Sequence, residues 1–423
     1  MKKLLTITVL FAVLVGGMVY ATDTRVMTMG EMNTVVKDDA NIFLFPSTVN
    51  YYPKLFLGEI GYNYDYYYNK NAEEDYDLYK VGGNMAFAEG SDNPWVLGAY
   101  FSAEPYMNSL LWEYLYYYEK DGPSDFYTNN RINLLYGRNL GEIPFGFRFN
   151  YFNMSDENKD PAPDTMSNGQ ESLSRYEFAF GISPLDKKLD LALSLGLVTW
   201  KITDWYNSTV GVTDVVKPKG NMDVSLVGRY WMNPMGKYVL VPHAMISYCK
   251  EGLEDYDGTE SNFTETDKTT TFNLGLGMNY EAEEDVLLAG DFGFEYMVEK
   301  YELKATVAED SSMNRDDKWT DMVLPYFKLG LDAKVFNWMD FRAGVHTQWY
   351  RWKYTSDYYN DDDRTSFVET RTYLGGGFHW GKLTIDALID PEFLINGPYF
   401  ITGNETDYRY EGVAGKISLL YNF

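Results

Sequence analysis

Cysteine occurs once in this 423-residue chain, at Cys249, so no intrachain disulfide can form. Histidine occurs three times, at His243, His346 and His379, and none stands in a Ser/His/Asp or His-x-x-His setting. There is no P-loop, zinc-ligand spacing or dinucleotide fingerprint, so the expectation is a non-enzyme without a cofactor. Basic residues are outnumbered, 36 Lys+Arg against 62 Asp+Glu, for a formal charge of −26. Phosphate backbones need a basic stripe, so nucleic acid is not an expected partner. After residue 21 no apolar run approaches the ~18–20 residues of a transmembrane helix.

Aromatic residues are plentiful, 17% of the chain with 38 Tyr, which a disordered acidic chain would not carry. The first 21 residues have Lys2 and Lys3, an apolar run from Leu4 to Val15 and a small-x-small end at Val19-Tyr20-Ala21. That pattern is a secretory signal peptide, too short for a membrane span. The fold argument therefore starts at Thr22.

The dominant signal is period 2. In FGFRFNYF, Phe145, Phe147, Phe149 and Tyr151 fall on one face and Gly146, Arg148 and Asn150 on the other. LDLALSLGL (Leu189–Leu197) and TFNLGLGMNY (Thr271–Tyr280) alternate the same way. A strand sorts such residues onto two faces, whereas a helix scatters them. Sixteen such segments begin near Leu55, Leu78, Trp95, Arg131, Phe145, Arg175, Leu189, Met222, Tyr238, Thr271, Val286, Pro325, Met339, Arg371, Leu383 and Gly415. Short turns alternate with long acidic stretches, among them residues 104–129, 155–174, 206–220, 251–270, 303–322 and 356–370. The expected fold is all-β: a transmembrane up-and-down antiparallel β-barrel of about 16 strands, with short periplasmic turns and long acidic extracellular loops.

The chain ends ISLLYNF, with Ile417, Leu419, Tyr421 and Phe423 on alternate positions. This ending resembles that of Gram-negative outer-membrane β-barrels, porins in particular, whose terminal Phe is read by the barrel-assembly machinery. The resemblance implies the bacterial outer membrane, with its lipid and lipopolysaccharide as partners, and leaves a homotrimer open. A second likeness covers Thr24–Pro53, where Arg25, Met29-Gly30 and Asp38-Asp39-Ala40 resemble the N-terminal segment of FadL-type channels. Phe45-Pro46-Ser47 stands where that family has Asn-Pro-Ala. The organisation read from this is signal peptide 1–21, a periplasmic or lumenal plug segment 22–53, and a barrel 54–423.

Charge on a lipid face costs about 2–4 kcal/mol for Lys or Arg at midplane, so charged residues within strands are assigned inward. That rule gives Arg131, Arg148, Arg175, Glu177, Asp190, Asp223, Arg229, Asp291, Glu295, Asp332, Arg342 and Asp386 as pore-lining residues. Acidic runs at Glu254–Asp257 and Asp361–Asp363 are oxygen-rich enough to attract divalent cations, though neither is an EF-hand. The tyrosine-rich run Trp112–Tyr118 reads as a loop that narrows the channel. Both signs of charge on the inner wall lead to a hydrated, cation-preferring porin for small hydrophilic solutes. The alternatives are a FadL-like transporter of hydrophobic compounds and a non-conducting structural or adhesive surface protein.

Overall fold

The computed structural model describes residues 23–62, 77–90, 94–103, 130–159, 168–204, 214–257, 260–283, 285–306, 314–356, 361–389 and 414–423. The alternating segments are strands: β1 (Leu55–Tyr62), β2 (Asp77–Phe87), β3 (Trp95–Ala103), β4 (Asn130–Leu140), β5 (Ile143–Lys159), β6 (Asn168–Ile182) and β7 (Leu189–Asp204). Then come β8 (Asp214–Pro218), β9 (Met222–Tyr230), β10 (Met232–Met235), β11 (Tyr238–Asp257), β12 (Glu260–Glu283) and β13 (Val286–Ala305). The last are β14 (Arg315–Phe336), β15 (Met339–Ser356), β16 (Asp361–Trp380), β17 (Leu383–Ile389) and β18 (Ala414–Asn422). Strands β8, β9 and β10 run end to end as one interrupted stave: β8 and β9 both lie between β7 and β11, and β10 continues along β11. All pairings are antiparallel, and β18 closes on β1 with Ile417 opposite Ile60, which makes a closed barrel of 16 staves. Closure is what lets a sheet satisfy its backbone groups inside lipid.

The outward face is an apolar belt. Phe180, Leu193, Leu195, Leu226, Leu274, Leu276, Phe292 and Leu329 are all exposed. Water would not tolerate so wide an apolar surface, and lipid requires it. Ile417, Leu419 and Phe423 belong to the same exposed surface. The short turns gather at one end, where Gly141 and Gly381 take φ of +64° and +63° in two-residue connections.

At the other end the sequence reading needs correction. Residues 251–257, 260–270, 303–305, 315–322 and 361–370 are strand rather than loop. As a result β12 has 24 residues and β14 has 22, against the ~9–11 that cross a bilayer. Beyond the bilayer neither face meets lipid, so both faces become polar and the hydropathy alternation fades while the hydrogen-bond ladder continues. The acidic runs at 254–257 and 361–363 therefore lie within β11 and β16. Successive side chains there point to opposite faces, and Asp362 is engaged by Lys353 at 3.5 Å and Arg364 at 3.2 Å. Residues 1–21, Thr22 and the run Trp112–Tyr118 lie outside the described residues.

Among the described residues, the hydrophobic core clusters lie between the sheet and residues 23–53. This segment contains α1 (Asp23–Thr28), α2 (Asn41–Leu44) and a 3₁₀ turn at Pro46–Tyr51. Met29, Met32, Val35 and Val36 pack on Trp231, Val241 and Ala289. Ile42 and Val49 pack on Leu55, Leu57, Val96, Tyr100, Leu135 and Leu420. Phe45 packs on Ala192 and Val227. The segment is a plug seated in the lumen.

Candidate functional site

Bare backbone on the inner wall makes the seat. A Cβ on Gly330 would press on Met29, on Gly344 on Met29 and Gly30, and on Gly375 on Thr28. Across the barrel, a Cβ on Gly146 or Gly181 would meet Pro46 and Ser47, and on Gly137 would meet Val49 and Asn50. The plug thus touches β4–β6 on one side and β14–β16 on the other, meeting Gly146, Gly181, Gly330 and Gly344 with its backbone and Gly137 and Gly375 with the side chains of Val49, Asn50 and Thr28.

Charged groups then fix it. Arg25 reaches Asp332 of β14 at 2.7 Å and Asp38 at 3.5 Å. Arg342 of β15, fully buried, lies 2.5 Å from Asp386, 3.1 Å from Asp332 and 3.3 Å from Asp340. Arg229 of β9 donates to Asp190 at 2.9 Å and Asn41 Oδ1 at 2.8 Å, between the rings of Phe45 and Trp231. Lys80 of β2 reaches Asp23 at 2.5 Å, and Lys416 of β18 reaches it at 3.8 Å. Glu31 accepts from Tyr373 at 2.5 Å and contacts His346 Nδ1 at 2.9 Å, with Lys328 3.8 Å away. Burial alone would push the Glu31 carboxyl up, but the His346 contact, the Lys328 charge and the Tyr373 hydroxyl outweigh it and hold it at about 2.

One pair in the plug is different. Asp38 and Asp39 are adjacent and almost wholly buried. Asp38 faces Arg25 and accepts the Ala40 N–H at 2.9 Å, whereas neither oxygen of Asp39 meets a hydrogen-bond donor. Burial pushes Asp38 up to about 7 against the opposing charge of Arg25. Burial, and then the Asp38 charge, pushes Asp39 well above the ordinary carboxylate range, with Glu59 and Asp386 adding to the rise.

Above the plug, toward the long-connection end, lies a cavity of about 650 Å³. Its floor is plug: Val26, Met27, Ala40, Phe43 and Leu44, with Asp23 and Asn33. Its wall carries Arg131, Arg148, Arg175, Glu177 and Asp223, with Lys80, Glu59 and Lys416. Arg175 lies 2.8 Å from Asp223. Arg148 pairs with Glu177 and also donates to the Phe43 carbonyl, which ties the charged wall to the apolar floor.

The twelve residues assigned inward from the sequence divide between two settings. Arg131, Arg148, Arg175, Glu177 and Asp223 face the cavity. Asp190, Arg229, Asp291, Arg342 and Asp386 are buried, and Asp332 is held between Arg25 and Arg342. Asp291 meets His243 at 2.9 Å, and Glu295 accepts from Asn273 at 3.2 Å. Arg229, Arg148 and Asp332 contact the plug directly. The sequence reading missed the glycine seat and Glu31. The glycines were visible as in-facing residues, but only the packed plug shows why a side chain is missing at those positions.

No protein-family model matches the chain, and no curated protein matches it. Among solved structures, the chain is similar to the toluene transporter TodX of Pseudomonas putida, at 12% identity over 96% of this chain and 96% of that one, TM-score 0.36. It is also similar to the toluene transporter TbuX of Ralstonia pickettii, at 10% identity over 95% and 98%, TM-score 0.39. A third is the alcaligin outer-membrane receptor FauA of Bordetella pertussis, at 9% identity over 79% and 67%, TM-score 0.37.

Proposed function

We propose that this chain is a plugged outer-membrane channel for small molecules that join an apolar body to polar groups, a FadL-like transporter rather than an open porin. The observation that carries the reading is the plug: among the described residues, residues 23–53 contribute to each hydrophobic core cluster and supply the apolar floor of the cavity of about 650 Å³. A freely conducting pore needs a clear lumen, and an apolar floor beneath a charged wall favours a solute with two kinds of surface. Transport occurs without a chemical step. The outward-facing Ile417, Leu419, Tyr421 and Phe423 are, in this reading, the ending that the barrel-assembly machinery recognises.

Planar-bilayer recording of the full mature chain in KCl tests the proposal. Little steady conductance is expected, while an amphipathic fluorophore such as anilinonaphthalene sulfonate binds and brightens in the cavity. Large, stable, ohmic steps without fluorophore binding would overturn it in favour of the porin.

A further inference from the structure

Four strands of the tall wall each carry an acid beside a lysine: Lys250-Glu251, Asp267-Lys268, Glu299-Lys300 and Asp317-Lys318. Along the sequence each dipeptide is neutral. In a strand the two side chains point to opposite faces. The register then places Lys250 opposite Lys268, Lys268 opposite Lys300, and Lys300 opposite Lys318. Four like charges stand side by side in one straight row on the outward face of β11–β14. At the usual strand spacing the row is about 14 Å long.

Like charges directly across a ladder destabilise a sheet, so the row needs anions. The protein supplies few. Among the described residues, Lys250, Lys300 and Lys318 have no carboxylate within ion-pair distance, and Lys268 is 3.9 Å from a Glu302 that Lys304 also holds. On β15 and β16 the row meets Thr355 and then Asp362, which Lys353 and Arg364, one outward position nearer mid-membrane, share. In a chain of net charge −26, four lysines in direct register are not a consequence of composition; the next outward row, farther from mid-membrane, carries the acids Glu302 and Asp316 opposite each other.

The row's height identifies the anion. One outward position nearer mid-membrane lie Tyr248 on β11, Thr270 on β12, Val298 on β13 and Thr320 on β14. Beyond them come the exposed Ile246 and Phe272, with Tyr296 and Met322. The lysines therefore border the apolar belt just outside its tyrosines, and tyrosine rings settle at headgroup level. Lysine is a compact point charge suited to phosphate. We infer that the outward lysine row of β11–β14 binds the phosphate groups of the outer leaflet's anionic glycolipid, lipopolysaccharide. The inference rests on the membrane placement proposed above.

The test uses the full mature chain refolded into phosphatidylcholine vesicles containing either bisphosphorylated or dephosphorylated lipid A. The protein is re-extracted in mild detergent and its retained glycolipid counted by native mass spectrometry. Wild type is expected to retain the phosphorylated form selectively and to lose it as salt rises. The K250Q/K268Q/K300Q/K318Q variant is expected to bind it at least about tenfold more weakly. K237Q/K382Q, at the short-turn rim, should match wild type. A K300Q/K318Q pair gives an intermediate loss from a smaller change. Equal retention of both glycolipids, or undiminished retention by the quadruple variant, would overturn the inference alone. Failure of the wild type to insert into the vesicles would overturn the membrane placement with it.

Discussion

In the lower lumen Arg342 sits among Asp386, Asp332 and Asp340, whereas on the outer wall Lys300 stands between Lys268 and Lys318. Both arrangements use cations on β-strands of one sheet. Inside, desolvation makes an unpaired charge costly, so the buried Arg342 and Arg229 are each paired with acid. Outside, at the border of the apolar belt, water solvates the row, and the sheet can set lysines side by side, with headgroup phosphates as their counter-charge in the reading proposed above. The difference shows which charges hold the protein together and which are presented to something else.

Removing the arginine from the lumen cluster is the largest break. Arg342→Met should cost about 3–5 kcal/mol, because Asp386, Asp332 and Asp340 each lose an ion pair in a buried site, Asp332 keeping Arg25 and Asp340 keeping His379. Urea denaturation in detergent, followed by tryptophan fluorescence, measures it. A loss below 1 kcal/mol would mean that water already solvates the cluster.

Filling the seat is next. Gly344→Val places a side chain where Met29 and Gly30 lie, and overpacking of this kind costs about 1–3 kcal/mol. The strain falls on the plug-to-wall contact, not on the ladder. The expected result is a barrel that still folds, with plug residues newly accessible to trypsin after Lys37 and higher single-channel conductance. Unchanged cleavage and conductance would show that the glycine is not a seat.

The smallest effect concerns the buried pair Asp38 and Asp39, in which Arg25 faces Asp38 and no donor meets Asp39. A carboxyl whose folded pKa is raised adds stability that is complete below its unfolded value and is lost as pH rises through its folded value. For Asp38, raised from 3.8 to about 7 by burial, the window runs from about pH 4 to just above 7, with Asp39 extending it upward. Trypsin cleavage after Lys37, timed between pH 7 and 9 and corrected for trypsin's own profile, should accelerate in the wild type. In Asp39→Asn it should stay flat. Glu31 has the opposite sign: its pKa of about 2 means its latch weakens only as pH falls below about 4, so it contributes nothing to this rise. Equal acceleration in both proteins would assign the effect elsewhere.

Much of this was legible in the sequence. Strand starts at Leu55, Trp95, Leu189, Met222, Tyr238, Val286, Met339 and Leu383 coincide with those in the structure, because lipid on one face and lumen on the other impose period 2 on neighbouring residues. The strand containing Pro242 runs unbroken from Tyr238 to Asp257. Inward assignment of charge followed from the cost of exposing it to lipid. Legibility failed where that cost vanishes, as in residues 260–270 above the bilayer.

Local alternation by itself determined that this chain makes strands, how many cross, and which side chains share a face. It could not determine what lies beside what. Whether Lys268 meets an acid or another lysine depends on register with strands about thirty residues away. Whether Gly344 is a gap or a seat depends on a turn more than three hundred residues before it. Those are contacts between distant segments, and only the closed barrel with its plug in place brings them together.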